Sequence, residues 1–332
     1  MSKAGISRLS QIGIIREIVQ GVNPGGISRG LLVPAFAAKP IKSTDRAPEI
    51  SGNRLHRIAA GGGTHYEVSF TLFAGPISST AATIAEIIHM ILGQDTVSGA
   101  GAPYTHKFEI KESAFLPSYS IWQKITNGID VQYKVYSGFR INTASLVFNR
   151  EESLVSCEVA GFALSETIDS TKTLVFSSDA PYSTRNQDIT IAAADLFRYR
   201  AVTVNFDCLS DVFNPLSTST GPHEIISKGL NISVEVDGLK AIGASPILRD
   251  IFKIDTVQTS ELKIYASDGT VNNKISIVIP KWQILEVDDE AISAEDYIPE
   301  KATFGAIHND GGAGSMPYVE IIGNHNSDYD NL

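Results

Sequence analysis

The stretch THYEVSFTLFAGPISSTAATIAEIIHMILGQD, residues 64–95, holds a strand, a loop and a helix in one line. Tyr66, Val68, Phe70 and Leu72 alternate with other residues, the period of two that marks a strand with one buried face. Ile84, Ile87, Ile88 and Ile91 then fall at i, i+3, i+4 and i+7, a single apolar stripe along a helix. Thr83 and Glu86 have the spacing of a capping box, and Gly93 can take the left-handed position past the last turn. A helix this short is marginal alone in water, so its isoleucines predict docking onto a sheet.

A related unit returns as GLNISVEVDGLKAIGASPILRDIFKID, residues 229–255. A shift of 166 positions carries Tyr66, Val68 and Phe70 onto Ile232, Val234 and Val236. A shift of 164 carries Ile84, Ile87 and Ile88 onto Leu248, Ile251 and Phe252, the packing face expected of a second helix. The strands that follow recur in order. LKIYAS answers KFEI, KISIVIPKWQILEV answers the long run VQYKVYSGFRINTASLVFN at 131–149, and KATFGAI answers LVSCEVAGFAL. Gly138 should bend or bulge the long strand. The short turns between these strands call for antiparallel pairing.

These readings predict a mainly β protein of two tandem β-sandwich domains, each flanked by one helix. The first spans 1–165 and includes an N-terminal arm over 1–30. Residues 166–188, rich in Ser, Thr and Asp, form a linker. The second domain spans 189–308, and the Gly/Asn/Asp-rich residues 309–332 form a flexible tail. Residues 39–63, which carry Lys39, Lys42, Arg46, Arg54 and Arg57, read as a basic loop.

A length of 332 residues suits two domains, and 43% hydrophobic residues suffice to build their cores. The net charge of −10 argues against a phosphate-neutralising nucleic-acid binder. Cys157 and Cys208 lie in apolar alternating runs and read as buried small hydrophobes, not as a disulfide framework. No signal peptide or membrane span is expected. AAGGGTHY (59–66) precedes a strand and GQDTVSGAGAP (93–103) follows a helix, the wrong order for a phosphate loop. The seven histidines form no zinc-spaced set, and NHNSDYDN (324–331) lacks the glycine and closing acid of a calcium loop. The carboxylates of VDDEAISAEDYIPE (287–300) read as an exposed loop. No nucleophile–base pair is evident, so no enzyme, cofactor or metal is expected.

HRIAAGGGTHYEVSFTLF, the helix IAEIIHMILG, and the strands YTHKFEI, LPSYSIW, VYSGFRINTASLVF and SCEVAGFAL together resemble the tail tube (major tail) proteins of long-tailed bacteriophages. The second half, with VTVNFDCLSDVFNP, GLNISVEVDG, ISIVIPKWQILEVDD and ATFGAI, is similar, so the resemblance covers about residues 30–308. It implies a structural virion protein, assembled in the host cytoplasm, whose rings stack into a hollow conduit for DNA ejection. A duplicated tube domain implies a homotrimer with pseudo-sixfold symmetry. The implied partners are further copies of the chain, tail terminator, tape measure and baseplate proteins, and DNA that passes without specific binding. Residues 1–63 and 92–103 would bridge stacked rings. The candidate barrel strands are marked by Tyr133, Val135, Phe139 and Ile141 in the first half, and by Ile275, Ile277, Ile279 and Trp282 in the second. The alternative is a receptor- or carbohydrate-binding β-sandwich of a tail tip or fibre, which calls for exposed aromatics such as Tyr104, Tyr119 and Trp122.

Overall fold

The computed structural model describes residues 11–26, 29–46, 59–112, 116–126, 130–191, 194–195, 199–213, 224–239, 257–270, 272–288, 299–307 and 316–329. The first half contains β1 (Gln11–Arg16), β2 (Gly30–Leu31), β3 (Ala35–Arg46), β4 (Ala59–Phe73), the helix α1 (Ile84–Leu92), β5 (Gly93–Ser98), β6 (Tyr104–Ile110), β7 (Tyr119–Thr126), β8 (Val131–Asn149), β9 (Ser156–Ala163) and β10 (Ser165–Ile168). The second contains β11 (Ser183–Ile191), β12 (Ala194–Asp195), β13 (Tyr199–Asp207), β14 (Ser210–Phe213), β15 (Glu224–Ser227), β16 (Asn231–Leu239), β17 (Leu262–Ser267), β18 (Lys274–Ile279), β19 (Trp282–Asp288), β20 (Pro299–Ala306) and β21 (Tyr318–Gly323). The fold is mainly β, and the named strands pair antiparallel.

One sheet runs through both halves in the order β3–β4–β9–β8–β13–β16–β20–β19. β8 belongs to it through its C-terminal part, Arg140–Val147 against β9 and Thr143–Asn149 against β13. The N-terminal part of β8 instead pairs with β7 and β10, and β7 continues to β1 and β2. The change of partners follows Gly138, whose φ of +73° is open to glycine at little cost, and which with Ser137 forms a bulge opposite Ser120 in the β7 pairing. In the second half the equivalent run is cut in two around Pro280. β18 lies in the layer β12–β11–β17–β18–β21–β6–β5, and β19 lies in the long sheet.

Aromatic contacts join the layers, Phe70 of β4 against Phe139 of β8 and Phe36 of β3 against Tyr136. A single apolar cluster extends from Ile14 and Phe70 through Phe206 and Val234 to Trp282 and Phe304. Each such side chain contributes about 1.5–3 kcal/mol on burial.

Helix α1 forms where its pattern predicts. Thr83 is the N-cap, and Thr83 with Glu86 completes the capping box. Gly93 closes the helix at φ +88°. Ile84, Ile87, Ile88 and Ile91 are buried, and the helix packs on β5, β6, β8 and β21. Leu248, Ile251 and Phe252 lie outside the described residues.

Several expectations need correction. Residues 39–63 are not simply a loop, because β3 pairs with β4 from Ala35↔Thr71 to Arg46↔Ala59, a long hairpin whose polar residues hide its alternation. The arm contains β1, which pairs with β7. Residues 93–98 form β5 on the edge of a sheet, so that part of 92–103 is strand and not loop. The linker segment 166–188 holds most of β10 and the start of β11, and Tyr182 within it is fully buried. The segment 309–332 is not wholly a flexible tail. β21 sits between β18 and β6, with Val319 and Ile321 buried. Its alternation spans only six residues, YVEIIG, too short to stand out beside the Gly-rich run before it.

Candidate assembly surface

The long sheet turns one face to the core and leaves the other open. Along β4, Val68, Phe70 and Leu72 point inward, while Glu67, Ser69 and Thr71 lie on the open face. Thr143 and Ser145 of β8, Glu158 and Ala160 of β9, and Thr203 and Asn205 of β13 continue that face, followed by Ser233 and Glu235 of β16 and Thr303 of β20. These side chains are small or polar. The acids Glu67, Glu158, Asp207, Glu235, Asp237 and Glu286 outnumber the bases Lys39, Arg200 and Lys301. Arg200 is already engaged, 3.1 Å from Asp237. Cross-strand hydrogen bonds tie the face together, Ser145 Oγ to Asn205 Oδ1 at 2.7 Å and Asn205 Nδ2 to Glu235 Oε1 at 2.7 Å.

The two halves of this sheet agree in register, residue for residue. In the first, Val68 pairs with Gly161 and Phe70 with Val159; in the second, Val234 pairs with Phe304 and Val236 with Ala302. The offset is 166 on β4/β16 and 143 on β9/β20. The offset of 143 also carries β8 onto β19, where the same irregularity recurs. A bulge between Ile141 and Thr143 matches one between Ile284 and Glu286, so Asn142 answers Leu285. β3 and β13 again differ by 166, since Ala38 pairs with Val68 and Val204 with Val234. The open face is hollowed twice, at equivalent places. A depression of about 420 Å³ is lined by Ala37, Ser69, Thr71, Thr143 and Ala160. One of about 370 Å³ is lined by their counterparts Thr203, Glu235, Asp237, Glu286 and Thr303.

The marked strand residues lie elsewhere. Val135, Phe139, Ile141, Ile275, Ile277, Ile279 and Trp282 are buried in the core, and Tyr133 is half-buried, stacked on Trp122 at 5.3 Å. The alternate residues of β8, Thr143 and Ser145, reach the open face instead. For the sugar-binding alternative, Tyr119 is 2% and Trp122 0% exposed, so neither can offer a ring to a ligand. Tyr104 alone of that trio is half-exposed.

Sequence reasoning missed a buried polar cluster that holds the C-terminal segment. Glu86 meets the Arg29 guanidinium at 2.7 Å, and Arg29 also donates to the carbonyls of Ser78 and Ala81 and lies over the Tyr329 ring. Burial pushes the Glu86 carboxyl up, against the pull of Arg29. Asp95 accepts from the Tyr329 backbone N–H at 3.0 Å and from His106 Nδ1 at 2.8 Å. His106 Nε2 lies 2.8 Å from the His325 carbonyl, and the two imidazoles stack nearly parallel. Burial pulls His106 down, but these hydrogen bonds and the Asp95 charge bring it to a net rise. His325 is pushed down to about 4 by burial, with Arg29 and His106 adding to the effect. The signal in sequence was only scattered His, Asp and Tyr, since these residues meet through long-range pairing.

Among the described residues no group of His, Cys, Asp and Glu is arranged to hold a metal ion. No described helix is long and apolar enough to cross a membrane. Both cysteines are buried and reduced, and burial raises the Cys208 thiol to about 12. No curated protein matches the chain. The family described as "Phage tail tube protein" matches residues 7–304, nearly the whole run of paired strands from β1 into β20. The chain therefore belongs to the phage tail tube protein family, whose members are structural components of the virion tail.

Proposed function

We propose that the chain carries two copies of one tube unit and closes head to tail into a ring of three chains. Six units then surround a bore, and stacked rings make the conduit for DNA ejection. The observation that carries this reading is the long sheet with its twin depressions. Two units already stand side by side in it, joined edge to edge by β8 and β13, with their hollowed, polar faces on the same side. Repeating that step brings the sheet round on itself, which removes the two exposed edges that otherwise invite aggregation. Head-to-tail contacts give a closed ring when the rotation closes.

The open face then lines the bore. Its carboxylates outnumber its bases and repel phosphate, so a polyanion slides without the counterion release that would hold it. On this reading the partners are further copies of the chain, a tail terminator, a tape measure and a baseplate protein. The setting is the virion tail, assembled in the host cytoplasm, and the chain performs no catalysis.

Electron microscopy of the purified protein, with mass measured in parallel, tests the reading. Rings or tubes with a central hole and a unit of three 35.7 kDa chains, about 107 kDa, are expected. Rings of six full chains would keep the tube and remove the pseudo-sixfold argument. A monomer that never assembles, even at high concentration or on tail-tip complexes, would remove both.

A further inference from the structure

Among the described residues the long sheet ends in β3 on one side and β19 on the other. Among the described residues β3 pairs with β4 alone. Beyond Trp282, which exchanges backbone bonds with Gln258, the one described strand that pairs with β19 is β20. The tube reading requires that some edge close the ring but does not say which strands meet or in what register.

We propose that β19 of one copy pairs antiparallel with β3 of the next, in the register that β8 and β13 use within the chain. This rests on the tube reading above. β19 is the counterpart of β8 down to the shared bulge, and β3 is the counterpart of β13. The internal joint sets Asn205 against Ser145, Phe206 against Ala144 and Asp207 against Thr143. Carried over by the two offsets, the external joint sets Lys39 against Asp288, Pro40 against Val287 and Ile41 against Glu286.

Three features of the edges fit this joint. In the internal joint the bulge residue Asn142 receives the Cys208 N–H on its carbonyl at 2.7 Å and the Ser210 N–H on its side chain at 2.9 Å. Its counterpart Leu285 is 57% exposed, on an edge with no described strand beside it, and the counterpart of Cys208 is Lys42. A second copy would cover that leucine and bring the Lys42 N–H to its carbonyl.

The edges also differ in sign. β3 presents exposed Lys39 and Lys42, while β19 presents exposed Glu286 and continues in sequence as Asp288, Asp289 and Glu290. Opposite charges across a strand pair attract and like edges repel, so β3 would reject β3 and β19 would reject β19. Pro40 adds no N–H to a ladder and is tolerated at an edge, where it discourages indiscriminate pairing. Lysines and proline on one edge and carboxylates on the other make the joint directional, as a head-to-tail ring demands.

The test uses assembled wild-type protein, half of it isotopically labelled, treated with a zero-length carbodiimide that joins an amine to a carboxylate. The expected product is a peptide pair linking Glu286 to Lys39, its diagonal neighbour on the open face, with mixed labels showing that the link runs between chains. In parallel, an Ile41→Cys/Glu286→Cys chain is oxidised after assembly and run without reductant. Residues directly opposite lie about 4.5–5.5 Å apart and can bridge, whereas diagonal neighbours are about 7–8 Å apart and cannot without movement. Disulfide-linked dimers and a closed trimer are therefore expected, with about tenfold less product from a Lys39→Cys/Glu286→Cys chain displaced by two residues. If rings form but the links join other strands, or the displaced pair reacts as well, the joint is wrong and the tube reading stands. If the cysteine chain fails to assemble, the wild-type linkage decides. Wild-type protein that does not assemble at all refutes the tube reading, and the joint falls with it.

Discussion

Gly161 has no room for a side chain. A Cβ there would stand 2.1 Å from the Arg140 carbonyl oxygen, against backbone on the neighbouring strand. Gly161→Ala should cost about 3 kcal/mol or more in urea unfolding, whereas Gly75→Ala, where the nearest atom is 3.9 Å away, should stay within about 0.5 kcal/mol. Thr83 acts through the helix end, so Thr83→Ala should lower stability by about 1 kcal/mol. His325 makes the protein acid-sensitive. It faces His106, Asp95, Arg29 and Tyr329 and is held neutral down to about 4, while the unfolded chain takes up its proton near the ordinary 6.5. Its contribution is whole above about 6.5 and is lost as pH falls from there through about 4. His106, with its raised value, has the opposite sign. Its contribution is full below about 6.5 and fades as pH rises through the folded value. A His325→Phe chain should show a flatter fall in urea stability between pH 6.5 and 4, and an unchanged slope would show that other groups drive acid unfolding.

At the scale of elements, β21 is the piece that binds the ends of the chain together. It bridges β18 of the second half and β6 of the first, and Asp95 and His106 on β5 and β6 hold residues 325–329 that follow it. A chain stopped after Ser315 would bare two strand edges and the cores beneath Val319 and Ile321. Light scattering should then show irregular aggregates in place of ordered assemblies. Helix α1 is the second such element. Ile88→Asn places an unpartnered amide at a position 1% exposed and should cost several kcal/mol by the combined loss of packing and hydrogen bonding.

At the scale of the whole molecule, charge has two separate jobs. On the proposed bore face it repels DNA, so replacing Glu158 and Glu235 by lysine should make assembled tubes retain DNA at low salt and release it at high salt. At the proposed edges it steers one copy onto the next. Assembly of the wild-type protein should therefore slow between 0.1 and 1 M salt, where the Debye length falls from about 10 to about 3 Å. Time-resolved scattering reads the rate, and a rate that rose with salt would point to a joint driven by apolar contact instead.

What the sequence could settle was local and periodic. The alternation of Tyr66 to Leu72, the isoleucine stripe of α1, its capping box and the bend at Gly138 each depend on residues a few positions apart, and each stands in the structure as read. The offset of 166 between Val68 and Val234 was legible for the same reason, because strand periodicity survives when identities do not. Pairing over long range was not legible. That β8 changes partners midway, that β3 continues through basic, polar residues, that β21 crosses to the first half, and that Asp95, His106 and His325 meet in one core are all outcomes of which strands find each other. A strand's pattern states which face it buries. It does not state which edge it joins, because backbone hydrogen bonds are the same for every neighbour, and only the packing of the whole sheet selects one.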